Sequence, residues 1–159
     1  MFDRFDPKII SDNMRILFKW FEALNDLDER DNDIIALNFV LFTSEETCAN
    51  MRPYEFYMHG CRNYSCHEDD WAGVEDYVPT RLAVSPTLWI PAEYNKNFAL
   101  HYMRALLYHS IGVMRHLRLL NVYHITVGYP TGVLLRVRDM GHPAMNEIRD
   151  ELFDFKLNM

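Results

Sequence analysis

In the stretch YMHGCRNYSCHEDDW (57–71), His59, Cys61, Cys66 and His67 place four potential zinc ligands within nine residues, and Glu68, Asp69 and Asp70 follow directly. Three kinds of chemistry use such residues: metal binding, a cysteine nucleophile with a histidine base, and electrostatic attraction of a partner. A structural zinc site needs four convergent ligands, usually as two closely spaced pairs. His59 and Cys61 alternate and on a strand would point the same way, but Cys66 and His67 are adjacent, and neighbouring residues rarely face one centre. No second pair of standard spacing occurs elsewhere. A nucleophilic thiolate needs a positive surrounding, whereas Cys66 precedes three acidic residues and Cys48 follows SEET. The run Glu68, Asp69, Asp70, Glu75, Asp76 lacks the alternating oxygen register and the glycine of a calcium loop. Metal binding and cysteine catalysis therefore give way to an acidic loop whose chemistry is its charge.

Elsewhere the chain shows no GxSxG elbow, phosphate-binding glycine loop, HExxH or dinucleotide fingerprint. No catalytic residue, metal or cofactor is expected. One other constellation competes: His101, Arg104, Tyr108 and Arg115 recur along a helical segment as a polar seam. Arginine forks match oxyanions, so the seam offers an alternative function as a small-anion or enzymatic site. The plainer reading is the exposed edge of a helix.

The elements that position these groups follow from periodicity. Ser11 can cap a helix with Met14, Leu17, Phe18, Phe21, Leu24 and Leu27 on one face. IIALNFVLFT (34–43) and YEFYMHGC (54–61) read as hairpin strands, WAGVEDYV (71–78) as a short third strand, and the proline-rich PTRLAVSPTLWIP resists assignment. A long helix is expected from 93 to 119. One face carries Phe98, Tyr102, Leu106, Val113, Leu117 and Leu120, and the other Leu100, Leu107, Ile111 and Met114. A helix apolar on two sides is sandwiched inside the domain or covered by a second copy of the chain, a homodimer. VYHITVGY (122–129) and VLLRVRD (133–139) form a second hairpin around Pro130, Thr131 and Gly132. Tyr123, Ile125, Val127, Val133, Leu135 and Val137 are expected in the core, with His124, Thr126 and Arg136 opposite. An amphipathic helix over 143–155 closes the chain. The expected fold is α+β: one domain, 1–159, with an antiparallel or mixed sheet of about five strands, an N-terminal helix, a long central helix and a C-terminal helix.

Composition sets the outer limits. With 159 residues, 49% of them hydrophobic, the chain can bury a real core without staples. Three cysteines are an odd and sparse set, unlike the framework of a small secreted domain. The charged start MFDRFDPKII and the lack of a long apolar run point to a cytoplasmic protein with no membrane partner. Net charge is −7, yet from Asn95 to Arg138 there is no acidic residue and the sum is +6. An acidic surface repels nucleic acid and attracts basic proteins at range. With Tyr64, Trp71 and Tyr77 interleaved, Glu68, Asp69, Asp70, Glu75 and Asp76 have the makings of an interface for a cationic partner, Trp71 as its apolar anchor.

The aromatic strand, the acidic run CHEDDW, the long apolar helix and the hairpin VGYPTGVLLRV together resemble small cytoplasmic bacterial immunity proteins of polymorphic-toxin and contact-dependent inhibition systems. The likeness spans roughly 34–138 as spaced elements. It implies a protein that binds a cognate toxin, of basic and nuclease-like character, and blocks it by protein–protein contact. It also implies acidic residues at the hairpin tip, whereas Pro130-Thr131-Gly132 has none.

Overall fold

Asp6 and Pro7 open the first helix. The computed structural model describes residues 6–79 and 85–139, and α1 runs Pro7–Asp26, with the Asp6 carboxylate accepting the Lys8 N–H at 2.9 Å. This start lies a turn before Ser11, because an Asp cap followed by proline, which has no N–H to orphan, already satisfies the helix end. Ile10, Met14, Leu17, Phe21 and Leu24 fall on the buried face.

β1 (Ala36–Thr43) and β2 (Met51–Cys61) form the expected hairpin, in register from Ala36↔Cys61 to Thr43↔Tyr54. β2 begins ahead of Tyr54, and Pro53, which has no N–H, lies beyond the last pair with β1. The third strand is not at 71–78. That segment holds a 3-10 turn over Asp70–Gly73 and one bridge, Gly60↔Tyr77. The strand is instead β3 (Thr87–Pro91), inside the proline-rich segment. As the edge of the sheet it tolerates flanking prolines, because its outer side needs no donors.

α2 runs Lys96–Val113, capped by the Asn95 side chain, which accepts the Phe98 N–H at 2.8 Å. The expected continuation to 119 is a loop and a 3-10 turn over Arg118–Leu120. β4 (His124–Gly128) and β5 (Leu134–Asp139) complete the second hairpin. Gly132, in its turn, has φ +101°, a conformation that only glycine adopts without strain. The expected helix over 143–155 lies outside the described residues.

The sheet order is β3-β2-β1-β4-β5. It is mixed: β1 and β4 run parallel, and every other pair is antiparallel. The fold is α+β, and one sheet face forms a core with both helices. Trp20, Phe21, Phe39 and Phe56 meet there with ring centroids 5.8 to 6.1 Å apart. Buried Asn13 donates to the Trp89 carbonyl and the Tyr102 hydroxyl, each at 3.0 Å, tying α1 to β3 and α2. Both stripes of α2 are buried in this core, and of the residues assigned to them only Val113 is exposed. The helix is therefore the sandwiched kind, and no second subunit is required to cover it. Among the described residues, no helix is long and apolar enough to cross a membrane.

Ile125, Val127 and Val137 face the core as expected, but Tyr123 (64% exposed) and Val133 (67%) do not. Both lie just outside their strands, where alternation no longer dictates orientation. Thr126, expected opposite the core, does lie on the second sheet face, where it is fully buried and donates to Asn38 Oδ1 at 2.9 Å. The second face of the sheet thus has a cover of its own.

Candidate functional site

That cover is the loop 62–79. Alone, β1, β2 and β4 would expose Ala36, Asn38, His59, Cys61 and Thr126 on this face; the loop lays Trp71 and Ala72 over them. Trp71 is 6% exposed, and its Nε1–H lies 3.1 Å from both the Ser65 and Glu68 carbonyls. Its ring lies 4.8 Å from Tyr64, which stacks on His124 with centroids 3.6 Å apart. The Tyr64 hydroxyl donates to the buried Asp139 carboxylate, whose other oxygen is 3.1 Å from His124 Nδ1. Burial and the bond to Asp139 push the Tyr64 hydroxyl up to about 12. The expectation that Tyr64, Trp71 and Tyr77 are exposed anchors is corrected here. Tyr64 and Trp71 bind the loop to the sheet, and Tyr77 is half-buried, bridging Gly60 through its backbone.

The four potential zinc ligands are dispersed. His59 Nε2 lies 2.7 Å from the Ala72 carbonyl, and the Cys61 thiol donates to the Val74 carbonyl at 3.1 Å. Cys66 and His67 are exposed, as is Cys48. Among the described residues, no three His, Cys, Asp or Glu side chains are grouped to hold a metal ion. Burial first, then Asp76 and Glu75, push the Cys61 thiol from 9 up to about 12. A group held neutral by the fold stabilises fully below its unfolded pKa and loses that contribution as pH rises towards its folded value. The urea midpoint is therefore expected to begin falling above pH 9, and Cys61→Ala to move that onset towards pH 10, where tyrosine ionisation takes over. A thiol reagent is expected to label Cys48 and Cys66 at once and Cys61 only on unfolding. Fast labelling of all three would mean that the loop does not shield Cys61.

The acidic residues divide into two groups. Asp76 is structural: it accepts the Arg62 N–H at 2.7 Å and pairs with the same guanidinium at 3.6 Å. Asp69 pairs with Arg136 at 3.1 Å. Glu68 and Asp70 are exposed, and their carboxylates have no hydrogen bond or ion pair among the described residues. Glu75 accepts from Tyr57, whose hydroxyl pKa is raised by burial and by that bond, and it lies 3.9 Å from His59 Nδ1.

Beside the loop, the uncovered part of this sheet face is a groove of about 540 Å³. Val40, Phe42 and Tyr57 form its floor, the turn at Tyr129–Gly132 one side, and Asp69, Asp70 and Glu75 the other. Three of the six expected binding residues thus meet at one rim, while Glu68 stands apart and Trp71 and Asp76 hold the loop. Sequence reading missed the floor, although Val40 and Phe42 alternate with the core residues Phe39 and Leu41, the available signal. It also missed that buried His59 reaches the groove, where its Nδ1 has no hydrogen-bond partner.

The alternative seam is split. Arg104 is buried rather than on an exposed edge, with Nη2 3.4 Å from His101 Nδ1. Tyr108 is half-buried, and Arg115 lies past the end of α2, beside a different pocket. Comparison with known protein families, with curated proteins and with solved structures gives no match to this chain.

Proposed function

We propose that this chain is a binding protein that takes a positively charged segment of a protein partner into the groove rimmed by Asp69, Asp70 and Glu75. In line with the immunity proteins it resembles, the partner is a basic, nuclease-like toxin that it neutralises by covering the toxin's working surface. One observation carries the reading: exposed Asp70, whose carboxylate has no hydrogen bond or ion pair among the described residues, and exposed Glu75 stand together on the rim of the groove. A lysine or arginine from a partner would pair with Glu75 and Asp70 at the rim. Phe42, 46% exposed, supplies an apolar contact in the same groove.

Charge reversal tests this. Asp70 and Glu75 are exposed, so Asp70→Lys with Glu75→Lys is expected to leave the fold intact and to slow association about a hundredfold through lost steering. Wild type and variant are used in parallel to capture protein from an extract of the producing cells, with elution by salt. Expected is one stoichiometric basic protein, released by salt from the wild type and absent from the variant. Equal retention by both would remove the groove from the interface.

A further inference from the structure

A second pocket, of about 600 Å³, opens between the segment after α1, the end of α2 and the base of the β4–β5 hairpin, and four arginines line it: Arg30, Arg115, Arg118 and Arg138. The net charge of the chain is −7, so such a concentration of guanidinium groups is out of keeping with the whole. Asp28 is the one carboxylate bonded to them among the described residues, at 2.6 Å from Arg118 Nη1 and 3.4 Å from Arg30 Nε. No carboxylate of the described residues lies within ion-pair distance of Arg115 or Arg138.

The forks are held open. Arg118 Nη2 donates to the Arg30 carbonyl and to Asn32 Oδ1, each at 3.1 Å, and Arg30 Nη2 donates back to the Arg118 carbonyl. Arg138 Nη1 donates to the Leu120 and Val122 carbonyls at 2.6 and 3.1 Å. Arg30 is more than nine-tenths buried and lines the pocket, with its Nε facing the Asp28 carboxylate at 3.4 Å. Burial disfavours the charge of both Arg30 and Arg138. Among the described residues one carboxylate thus serves four guanidinium groups, two of them desolvated, and an anion in the pocket would supply the missing negative charge. Arg115 is exposed and has no hydrogen bond or ion pair among the described residues.

We infer that this pocket binds a polyphosphate chain, either free or as part of a nucleotide. Guanidinium forks match phosphate oxygens two at a time. Forks already fixed by carbonyl contacts lose little freedom when a ligand arrives. The volume falls within the usual range of about 300–1,000 Å³ for small-molecule sites. Tyr123, 64% exposed on the lining, offers a ring face that a nucleobase can stack on and a bare polyphosphate cannot use.

The test is isothermal titration of the full chain with sodium tripolyphosphate and with ATP at constant ionic strength, with sodium sulfate as the control anion. Saturable one-to-one binding is expected, weakened about tenfold or more by Arg115→Glu, since a fork is lost and a repelling carboxylate gained. Tyr123→Ala is expected to weaken ATP alone if the natural ligand is a nucleotide, and neither probe if it is the bare chain. Arg115 and Tyr123 are exposed, so equal thermal midpoints will show that both variants fold. Absence of saturable binding, equal affinity in Arg115→Glu, or sulfate binding as tightly as tripolyphosphate would overturn the inference.

Discussion

Trp71→Ala is expected to lower the stability of the protein by about 3–5 kcal/mol, the usual cost of deleting a buried large aromatic side chain, and to strip the loop 62–79 from the sheet. The indole fills the space above Ala36 and Cys61, backs the Tyr64 ring and ties its own loop through the Ser65 and Glu68 carbonyls. Without it, water reaches Cys61 and Asn38, which the loop now covers. Trp71→Phe keeps much of the apolar area but loses the N–H, and about 1–2 kcal/mol is expected. Urea denaturation gives the energies. Hydrogen exchange locates them, because the Gly60, Asp76 and Tyr77 amides bonded where the loop returns to β2 should lose protection in the alanine variant. A loss under about 1 kcal/mol for Trp71→Ala, with protection intact, would mean that other contacts hold the loop. Because this loop carries Asp69, Asp70 and Glu75, its release would also dissolve the groove rim, and partner binding should fall with loop protection.

This dependence explains why the site was only half legible in the sequence. The acidic run was plain, and three of its members do reach one rim. Whether Trp71 faced solvent or sheet was not plain, because an aromatic in a polar loop has no periodicity to orient it; only the bare second face of β1, β2 and β4 decides. Alternation puts Thr126 opposite the core, where it lies, but carries no sign that it is under cover there with Asn38. Periodicity served well where a stripe meets one core, as in α1 and both hairpins. It failed at β3, where prolines mask a strand that only an edge can accommodate, and at 71–78, where apolar spacing came from a turn. The parallel pairing of β1 with β4 depends on residues some ninety positions apart and has no local signal. The arginine pocket left a trace in the acid-free stretch from Asn95 to Arg138, but Arg30, its most buried member, comes from the other end of the chain.

The other fastening of the loop is polar, and its removal is expected to be nearly as costly. Asp139 is buried, accepts the Tyr64 hydroxyl on one oxygen and holds His124 Nδ1 at 3.1 Å on the other. Asp139→Ala leaves both groups without an acceptor, and since hydrogen bonds to a charged partner contribute about 1.5–3 kcal/mol each, a loss of about 3–5 kcal/mol is expected. Asp139→Asn retains one acceptor oxygen and should cost about half as much. Tyr64→Phe removes a single donor, and the double variant with Asp139→Ala should fall short of the sum, because the two changes delete the same bond. A spectroscopic titration of tyrosine gives a second, independent reading. The Tyr64 hydroxyl is pushed from 10 up to about 12, by burial first and by Asp139 next. Its neutral form therefore stabilises the fold below pH 10, and that contribution is lost as pH climbs towards 12. In Asp139→Ala the burial remains but the acceptor and its negative charge are gone, so Tyr64 should ionise at lower pH than in the wild type and the alkaline loss of stability should narrow. An unchanged tyrosine titration in a folded Asp139→Ala variant would show that burial alone governs Tyr64 and that its bond to Asp139 does not fasten the loop.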